Sequence, residues 1–369
     1  MNSLNEPITL NNGAVIPNRI VMAPMTSKGA SWDGIIEQDD FEFFGRRSET
    51  AGLLITGATA VSKLGEKFSY QMSIYDDRFI PGLTKLAKLV KRDGSKALVQ
   101  IYHSGANAKV SYEKQGMVVG PSAIDFPHIP YKVTELTEEG VWAIIDDFGQ
   151  ATKRVIEAGF DGVEIHGAYS HIIQQFFSSY SNKRDDYWGG TLQKRMNFAF
   201  EVIKRVQEVA KKCAKEKFIV GYRLTQEEIH KDSVGYDIQD TLQFIDRLAD
   251  MNLDYIHVTS ADYGKQIKEV IHGRTAFIFV PHVFKVQDAI DGLQYGDMIS
   301  MSREALIEPD FAKKIREGRE EEVATEITST EMAKSLYFPR KMAEWLLDPN
   351  GKNPLPKGME YFKDLVSDQ

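Results

Sequence analysis

Eight short apolar runs, separated by longer stretches of helical character, constrain the fold of this chain more than any other feature of its sequence. Each run is a continuous block rich in Val, Ile, Leu or Ala, which is typical of parallel strands buried on both faces. The predicted strands are Arg19–Ala23, Leu53–Thr56, Ala97–Ile101, Gly162–Ile165, Phe218–Arg223, Tyr255–Val258, Ala276–Val280 and Met298–Met301.

The segments between these runs carry apolar residues at helical spacing and end at helix-stop signals such as Gly159. The predicted helices are Asp39–Ala51, Pro81–Arg92, Thr137–Ala158, Thr191–Ala214, Ile238–Met251, Lys285–Asp291 and Pro309–Glu317. Strand and helix alternating in this way predict an α/β fold, the (β/α)8 TIM barrel. An open doubly wound sheet is the alternative, but no Gly-x-Gly-x-x-Gly follows the first strand.

The chain is predicted to form a single domain over residues 1–369, with the barrel at about 18–317 and a C-terminal helical extension at about 318–369. Two long loops, residues 103–137 and 178–190, follow the third and fourth strands, on the side where barrels place active-site loops. The extension carries Trp345 and either caps its own barrel or reaches into a neighbouring copy. A homo-oligomer is therefore an open alternative.

Composition excludes several classes of function. The net charge is −8 and no basic block offsets it, which argues against nucleic acid or an anionic membrane as a partner. Cys213 is the only cysteine, which excludes disulfides within the chain, a Cys-ligated iron–sulfur cluster and a multi-Cys zinc site. No signal peptide or membrane-spanning run is evident, so the sequence predicts a cytoplasmic protein acting on a small molecule.

Polar and small residues stand at the ends of the predicted strands. They are Pro24, Met25 and Thr26; Gly57, Ala58 and Thr59; Gln100 and His103; His166; Arg223; Thr259 and Ser260; Pro281 and His282; and Ser302 and Arg303. Because the C-terminal ends of barrel strands meet at one mouth, we expect these residues to line one site. Ser302 and Arg303 follow the last strand, where barrels commonly bind phosphate, and they predict a flat, phosphorylated cofactor across the mouth.

Two alternatives without such a cofactor receive less support. Five histidines lie near strand ends: His103, His166, His171, His257 and His282. However, no His-x-His closes the first strand and no carboxylate directly follows the eighth, so we predict no metal site. An aldolase or metal hydrolase would need a Schiff-base lysine or a metal-ligand set at strand ends, and neither is evident.

Several motifs in fixed order resemble the Old Yellow Enzyme family of FMN-dependent NAD(P)H oxidoreductases, from about Asn18 to Glu317. The similar segments are 18–26, 53–61, 99–105, 120–123 and 158–190, with Arg303, Glu304 and Pro309 at the closing turn. The resemblance implies a single barrel with non-covalent FMN that takes hydride from NAD(P)H. In ping-pong fashion, a small acceptor such as an α,β-unsaturated carbonyl, quinone or nitro compound would then receive the hydride.

The resemblance also implies roles for individual residues. Ala23, Pro24, Met25 and Ala58 would line the flavin ring, Thr26 would reach its carbonyl edge, Gln100 would hydrogen-bond its pyrimidine part, Arg223 would face N1 and O2, and Ser302 and Arg303 would bind the phosphate. His166 would contact the flavin and donate a hydrogen bond to the acceptor oxygen. A guanidinium beside N1 and O2 stabilises the charge that reduced flavin gathers there.

The sequence departs from the family in three places. Tyr169 stands at the second oxyanion-donor position and His171 at the usual proton-donor tyrosine; both side chains have suitable chemistry. Pro281 and His282 replace part of a glycine-rich phosphate turn, and His282 offers a side-chain donor where proline removes an N–H. These departures motivate an alternative function, a flavin-binding barrel without efficient turnover. The choice between NADH and NADPH stays open.

Overall fold

The computed structural model of the chain describes residues 3–127, 129–349 and 355–367. Eight parallel strands form a closed barrel in which each strand pairs with its neighbours in chain order and the eighth pairs with the first. The strands are β1 (Ile20–Met22), β2 (Leu53–Ile55), β3 (Lys96–Tyr102), β4 (Gly162–Gly167), β5 (Ile219–Leu224), β6 (Tyr255–Val258), β7 (Ala276–Phe279) and β8 (Met298–Met301). The predicted (β/α)8 TIM barrel and its eight strands are confirmed.

The eight strands are joined by helices on the outside of the barrel. They are α1 (Gln38–Arg46), α2 (Ile80–Lys91), α3 (Glu138–Glu157), α4 (Asn197–Cys213), α5 (Ile238–Ala249), α6 (Gly264–Ile271), α7 (Val286–Gly292) and α8 (Phe311–Arg316). Local signals set several ends: the Thr137 hydroxyl caps α3 by accepting from the N–H of Gly140, and Gly159 follows with a φ of 83°. α6 was not predicted from the sequence, because it begins without a capping signal: its N-cap residue, Tyr263, has a left-handed backbone and makes no side-chain cap bond.

Four sequence-based assignments were wrong. β4 extends to Gly167 because Gly167 pairs with Leu224 of β5, so His166 lies inside the strand rather than beyond its end. α1 ends at Arg46, well before the predicted Ala51, and the predicted helix Thr191–Ala214 is divided at Met196. Residues 103–137, predicted as a loop, contain the helix Lys109–Gln115 and a parallel pair of short strands, Val118–Gly120 and Val133–Glu135.

Shorter elements decorate the barrel. Further strands are Ile8–Thr9, Val15–Ile16, Thr59–Ala60, Glu228–Ile229 and Val234–Tyr236; further helices are Ile172–Phe177, Leu192–Arg195, Arg303–Ile307, Thr330–Ser335, Arg340–Leu346 and Lys363–Ser367; 3-10 turns are Ser3–Asn5, Asp77–Phe79, Gly105–Asn107, Glu320–Glu322 and Met359–Phe362. Across the described ranges, no helix combines the length and apolar character needed to cross a membrane.

The lower half of the barrel is filled by apolar side chains. The N-terminal hairpin supplies Leu10, Ala14 and Ile16 to a cluster shared with inward residues of seven barrel strands: Val21, Leu53, Ile55, Leu98, Ile219, Tyr255, Ile278 and Met298. This cluster closes the N-terminal end of the barrel. Polar groups inside the barrel are therefore confined to the half that faces the C-terminal mouth, where active sites of this fold lie.

The predicted C-terminal extension packs on its own barrel. The ring of Trp345 lies 6.1 Å from that of Phe68 in the loop after β2. Phe338 contacts Phe43 of α1 at 6.0 Å between ring centroids and stacks on Phe362 at 4.6 Å. Of the two positions considered for the Trp345 segment, the structure therefore places it beside the mouth of its own barrel.

Candidate active site

The end of β4 and the turn that follows bring three rings together. The ring centroids of His166 and His171 lie 4.7 Å apart at an interplanar angle of 86°, and the ring of Tyr169 lies 5.8 Å from that of His166. The chain turns sharply because Tyr169 and Ser170 both take left-handed backbone conformations, with φ of 54° and 55°. Consecutive left-handed residues other than glycine store strain that surrounding contacts must hold, and such strain is typical of functional sites.

Hydrogen bonds from three neighbouring segments hold this turn. The backbone N–H of Tyr169 donates to the Thr225 hydroxyl at 3.1 Å, across on the loop after β5. The carbonyl of Ser170 accepts from the side chains of Asn107 at 2.7 Å and Gln175 at 2.6 Å. Because these bonds come from separate parts of the chain, the turn is fixed before any ligand arrives. Tyr169 itself is 51% exposed, so it stands at the solvent-accessible part of the barrel mouth.

Both histidines are neutral near pH 7. Burial lowers the pKa of His166 well below its ordinary 6.5, and the positive charges of Arg223 and Lys67 act in the same direction. Burial likewise lowers the pKa of His171, with His166 and Lys67 as further causes. Nδ1 of His166 accepts from the backbone N–H of Ala168 at 3.3 Å, which leaves the proton on Nε2. His166 is therefore a neutral hydrogen-bond donor through Nε2.

A buried carboxylate beneath the histidines organises the barrel interior. Glu164 accepts hydrogen bonds from the Gln100 amide at 2.7 Å, His257 Nδ1 at 2.7 Å and the Tyr255 hydroxyl at 3.1 Å. Burial alone would raise the pKa of this carboxyl, but His257, Arg223 and Gln100 bring it below its ordinary value. Burial lowers the pKa of His257, so we take His257 as neutral and Glu164 as ionised.

Arg223 is the cation that balances Glu164 at the mouth. Its position on β5 is opposite His166 of β4 and His257 of β6 in the strand register. Its guanidinium lies 5.4 Å from the centroid of the Tyr169 ring, and Nη2 is 3.5 Å from the Tyr169 hydroxyl. The buried Nε–H of Arg223 has no partner among the described residues. A buried donor of this kind calls for an acceptor on a ligand.

The opposite wall of the mouth is built from small residues and backbone. Ala23 and Ala58 are buried, and Pro24, Met25 and Thr26 are half-buried. A Cβ added at Gly57 would lie 2.3 Å from the carbonyl oxygen of Met25, so only glycine lets the loops after β1 and β2 approach so closely. This wall presents backbone groups and methyls rather than bulky side chains, which suits a flat ring system.

The predicted phosphate residues stand in the turns that follow β7 and β8. Ser302 and His282 are exposed, and the guanidinium of Arg303 lies 5.0 Å from the centroid of the Phe284 ring. Arg303 forms no ion pair within the described part of the chain. A cavity of about 530 Å³ between α6 and α7 adjoins this turn and is lined by His282, with Tyr263 and Asp288 also contributing. None of the three clustered rings lines that cavity.

Glu304, beside Arg303 in the closing turn, was given no role in the sequence-based prediction. It is 2% exposed, its Oε1 has no partner among the described residues, and burial raises its pKa to about 8. Glu304 is therefore largely protonated at neutral pH. A neutral carboxyl leaves the positive charge of Arg303 undiminished for an anion.

These features fit the chemistry of FMN. The flat wall beside Gly57 suits the ring system. The buried Nε–H of Arg223, which has no partner among the described residues, suits the electron-rich edge of the ring, and the guanidinium of Arg303 suits the phosphate. No role was predicted for Glu164 from the sequence. The signal was present, because Glu164 stands two residues before His166 on one strand and its side chain therefore points to the same barrel interior. The described residues contain no group of three His, Cys, Asp or Glu that could hold a metal ion.

Comparison with known proteins agrees with this geometry. The profile of the family described as NADH:flavin oxidoreductase / NADH oxidase matches residues 3–322. The probable NADH-dependent flavin oxidoreductase YqiG of Bacillus subtilis (strain 168) is 36% identical over 366 residues, covering 95% of this chain and 97% of the relative. The NADH:acrylate oxidoreductase of Vibrio harveyi is also 36% identical, covering 93% of this chain and 36% of that longer protein.

Among solved structures, a morphinone reductase variant in complex with tetrahydroNAD matches with a TM-score of 0.74 at 26% identity, covering 86% of this chain and 91% of that chain. The predicted Old Yellow Enzyme resemblance, non-covalent FMN, NAD(P)H dependence and oxidoreductase activity are thereby confirmed. With nearly the whole barrel matched, the chain belongs to the NADH:flavin oxidoreductase / NADH oxidase family.

Proposed function

We propose that this oxidoreductase reduces activated alkenes, with α,β-unsaturated carbonyl compounds as its main acceptors and quinones or nitro compounds as further ones. In this proposal, Nε2–H of His166 and the hydroxyl of Tyr169 donate hydrogen bonds to the acceptor oxygen. Donors already in place at a developing negative charge lower the barrier, because they need no reorganisation during the reaction. The closeness of the His166 and Tyr169 rings, 5.8 Å between centroids, supports this assignment.

We assign His171 a positioning role and solvent the role of proton source. Its pKa, lowered by burial, makes imidazolium scarce at neutral pH, so His171 is a poor acid. Its edge-to-face contact with His166 and the 3.4 Å approach of Nδ1 to the Ser104 hydroxyl support a role in holding the first histidine's ring.

When bound, FMN would supply the chemistry of hydride transfer between NAD(P)H and the acceptor. We propose that Ala23, Pro24, Met25, Thr26 and Ala58 hold one side of the ring system. Gln100 and Arg223 would bond its polar edge, and His282, Ser302 and Arg303 would hold its phosphate. The unpartnered Nε–H of Arg223 supports this assignment, since it provides a donor where reduced flavin becomes electron-rich.

The observation that carries the proposal is the convergence of His166, Tyr169 and His171 beside the Arg223 guanidinium. The test is anaerobic mixing of the FMN-loaded enzyme with NADH, followed by 2-cyclohexenone, with flavin absorbance recorded throughout. We expect NADH to bleach the flavin and the enone to restore it. His166→Ala should keep FMN but slow the second step about a hundredfold, as removal of one oxyanion donor does elsewhere.

Bleaching without reoxidation by an enone, quinone or nitro compound would contradict the proposal. That result would favour the alternative of a flavin-binding barrel without efficient turnover. NADPH in place of NADH in the first step measures the nucleotide preference that the sequence leaves open.

Three further assignments belong to the same proposal. We propose one folded domain, since a single apolar cluster joins Ile20 of the barrel to Leu346 of the extension. A cytoplasmic location is proposed because NAD(P)H is supplied there, and a homo-oligomer stays a prediction. Sedimentation of the FMN-loaded protein measures the oligomeric state.

A further inference from the structure

Lys67, in the loop after β2, is a cation at the active site that the proposed mechanism does not use. Its side chain is half-buried, and burial lowers its pKa. Its ammonium lies 5.2 Å from the centroid of the Phe68 ring and forms no ion pair within the described ranges. The contact with Phe68 offsets part of the hydration that this lysine loses, but it leaves the ammonium without a counter-charge unless a ligand supplies one.

The backbone of Lys67 is fixed next to the histidines. Its N–H donates to the Tyr102 hydroxyl at 3.1 Å and also approaches Gln71 Oε1 at 3.1 Å. The Tyr102 ring stands 4.8 Å from the ring of His171 and 6.1 Å from that of His166. The charge of Lys67 lowers the pKa of both imidazoles. Burial is the largest cause in each case; Arg223 for His166, and His166 for His171, come next, and Lys67 is third.

Nearby acidic groups are engaged elsewhere. Glu66, the neighbour of Lys67 in sequence, bonds Lys114 at 3.0 Å and the Ser73 hydroxyl at 3.0 Å. Glu164, the carboxylate nearest to the histidines in sequence, already accepts three hydrogen bonds inside the barrel. Neither carboxylate therefore serves as the counter-charge of Lys67.

More cations stand on the same rim. Lys28 lies 5.9 Å from the centroid of the Phe68 ring and 5.5 Å from that of Trp345. Burial lowers the pKa of Lys28, and the charges of Lys109 and Lys341 lower it further, which shows that these three ammonium groups share one region. Lys109 pairs with Glu113 and Lys341 with Glu344, so Lys28 and Lys67 are the two of these four lysines that form no ion pair among the described residues. Cations of this kind attract anionic ligands.

We propose that the preferred acceptor is an activated alkene that also carries a carboxylate, and that Lys67 binds this carboxylate while His166 and Tyr169 hold the carbonyl oxygen. The inference rests on the proposed function and names its substrate class. The reaction balances: NADH is oxidised to NAD⁺, its hydride equivalent adds to the alkene carbon β to the carbonyl, and a solvent proton adds to the α carbon. The carboxylate is unchanged and serves only for binding.

A matched pair of acceptors isolates the charge. trans-4-Oxo-2-pentenoate and its methyl ester share one enone and differ in the negative charge and one methyl group; because the ester activates the alkene more strongly, the change in their ratio between variants is what measures the effect of Lys67. We expect the wild-type enzyme to favour the carboxylate in kcat/KM. In Lys67→Met the ratio of carboxylate to ester should fall about tenfold, the size of one partly screened ion pair, and Lys67→Arg should restore most of it. The control is Lys153→Met on the outer face of α3, where Lys153 pairs with Glu157.

Equilibrium binding gives a second readout that needs no turnover. Titration calorimetry of the FMN-loaded protein with 4-hydroxybenzoate and with 4-hydroxybenzamide should show a preference for the anion that Lys67→Met removes and Lys153→Met retains. FMN content, read from flavin absorbance, verifies that each variant is folded and loaded.

The possible outcomes distinguish failure of this inference from failure of the proposed function. An unchanged carboxylate-to-ester ratio in Lys67→Met, with both compounds reduced, would overturn the inference and leave the proposed function intact. A raised KM for NADH with an unchanged ratio would overturn it too, because Lys67 would then serve the dinucleotide phosphates. Failure of the wild-type enzyme to reduce either compound with NADH or with NADPH would refute the proposed function itself.

Discussion

Replacing Glu164 with glutamine tests the buried network that supports the site. The carboxylate is fully buried and accepts three hydrogen bonds of 2.7, 2.7 and 3.1 Å. Glutamine keeps the shape, and rotation of the Gln100 amide would restore a third bond, so the change removes chiefly the charge. Hydrogen bonds to a charged acceptor contribute about 1 kcal/mol more than neutral ones, which gives about 3 kcal/mol for three bonds.

The substitution also removes the cost of burying a charged carboxylate, which offsets part of this loss of stability. It leaves the charge of Arg223 without a counter-charge, which increases the loss. We therefore expect Glu164→Gln to lower the free energy of unfolding by about 2 kcal/mol at pH 7. Urea unfolding of the FMN-loaded protein measures the difference. The control is Glu157→Gln, an exposed carboxylate paired with Lys153, which should change stability by less than about 0.5 kcal/mol.

The pH dependence of this difference has a defined sign. The folded protein holds the pKa of Glu164 below its ordinary 4.5, so the carboxylate contributes its stability fully above that value and loses it as pH falls through the lowered pKa. The gap between wild type and Glu164→Gln should stay constant from about pH 7 to 5 and shrink only in more acidic solution. A gap that is absent at pH 7, or that widens on acidification, would refute an ionised Glu164.

Three other substitutions probe separate parts of the fold. Arg47→Met should destabilise the protein by about 4 kcal/mol in urea unfolding, because the buried guanidinium donates to the carbonyls of Phe43, Ala305, Leu306 and Leu336 and no side chain replaces it; equal stability would contradict this role. The free energy of unfolding of Glu304→Gln should rise relative to that of the wild type, by up to about 4 kcal/mol, as pH rises from about 5 to 8. The reason is that burial raises the pKa of Glu304 to about 8, so ionisation of this carboxyl opposes folding. Parallel pH profiles of the two proteins would show that Glu304 is not buried in its neutral form. Arg303→Ala should raise the dissociation constant of FMN at least tenfold in ultrafiltration assays, and unchanged retention would move the phosphate elsewhere.

The parts of the site that follow from local pattern were predictable from the sequence. Continuous apolar runs mark buried parallel strands, and all eight strands were located within one or two residues. His166 and Arg223 follow from the rule that chemistry gathers at the C-terminal ends of barrel strands. The pairing of Thr137 with the start of α3 follows from capping, which depends on only a few neighbouring residues.

The parts that depend on contacts between distant segments were not predictable. The Glu164 network joins β3, β4 and β6, and only the strand register shows which inward residues meet. α1 ends early at Arg46, where the next residue, Arg47, turns inward to carbonyls more than 250 positions away. The left-handed backbone at Tyr169 has no sequence signal, because bulky residues rarely adopt it.

The charges of the site explain how a neutral pair of histidines can serve reduction. Glu164 is ionised and Arg223 balances it, while His166 and His171 carry no charge at neutral pH. Negative charge that develops on an acceptor oxygen therefore meets fixed N–H and O–H dipoles in a site whose buried charges already cancel. Lys67, in the loop after β2, adds a half-buried cation that forms no ion pair among the described residues. Polarisation of the carbonyl and selection of a charged substrate are thus assigned to different residues, so substitution at Lys67 should alter substrate preference through binding and substitution at His166 should alter the hydride-accepting step.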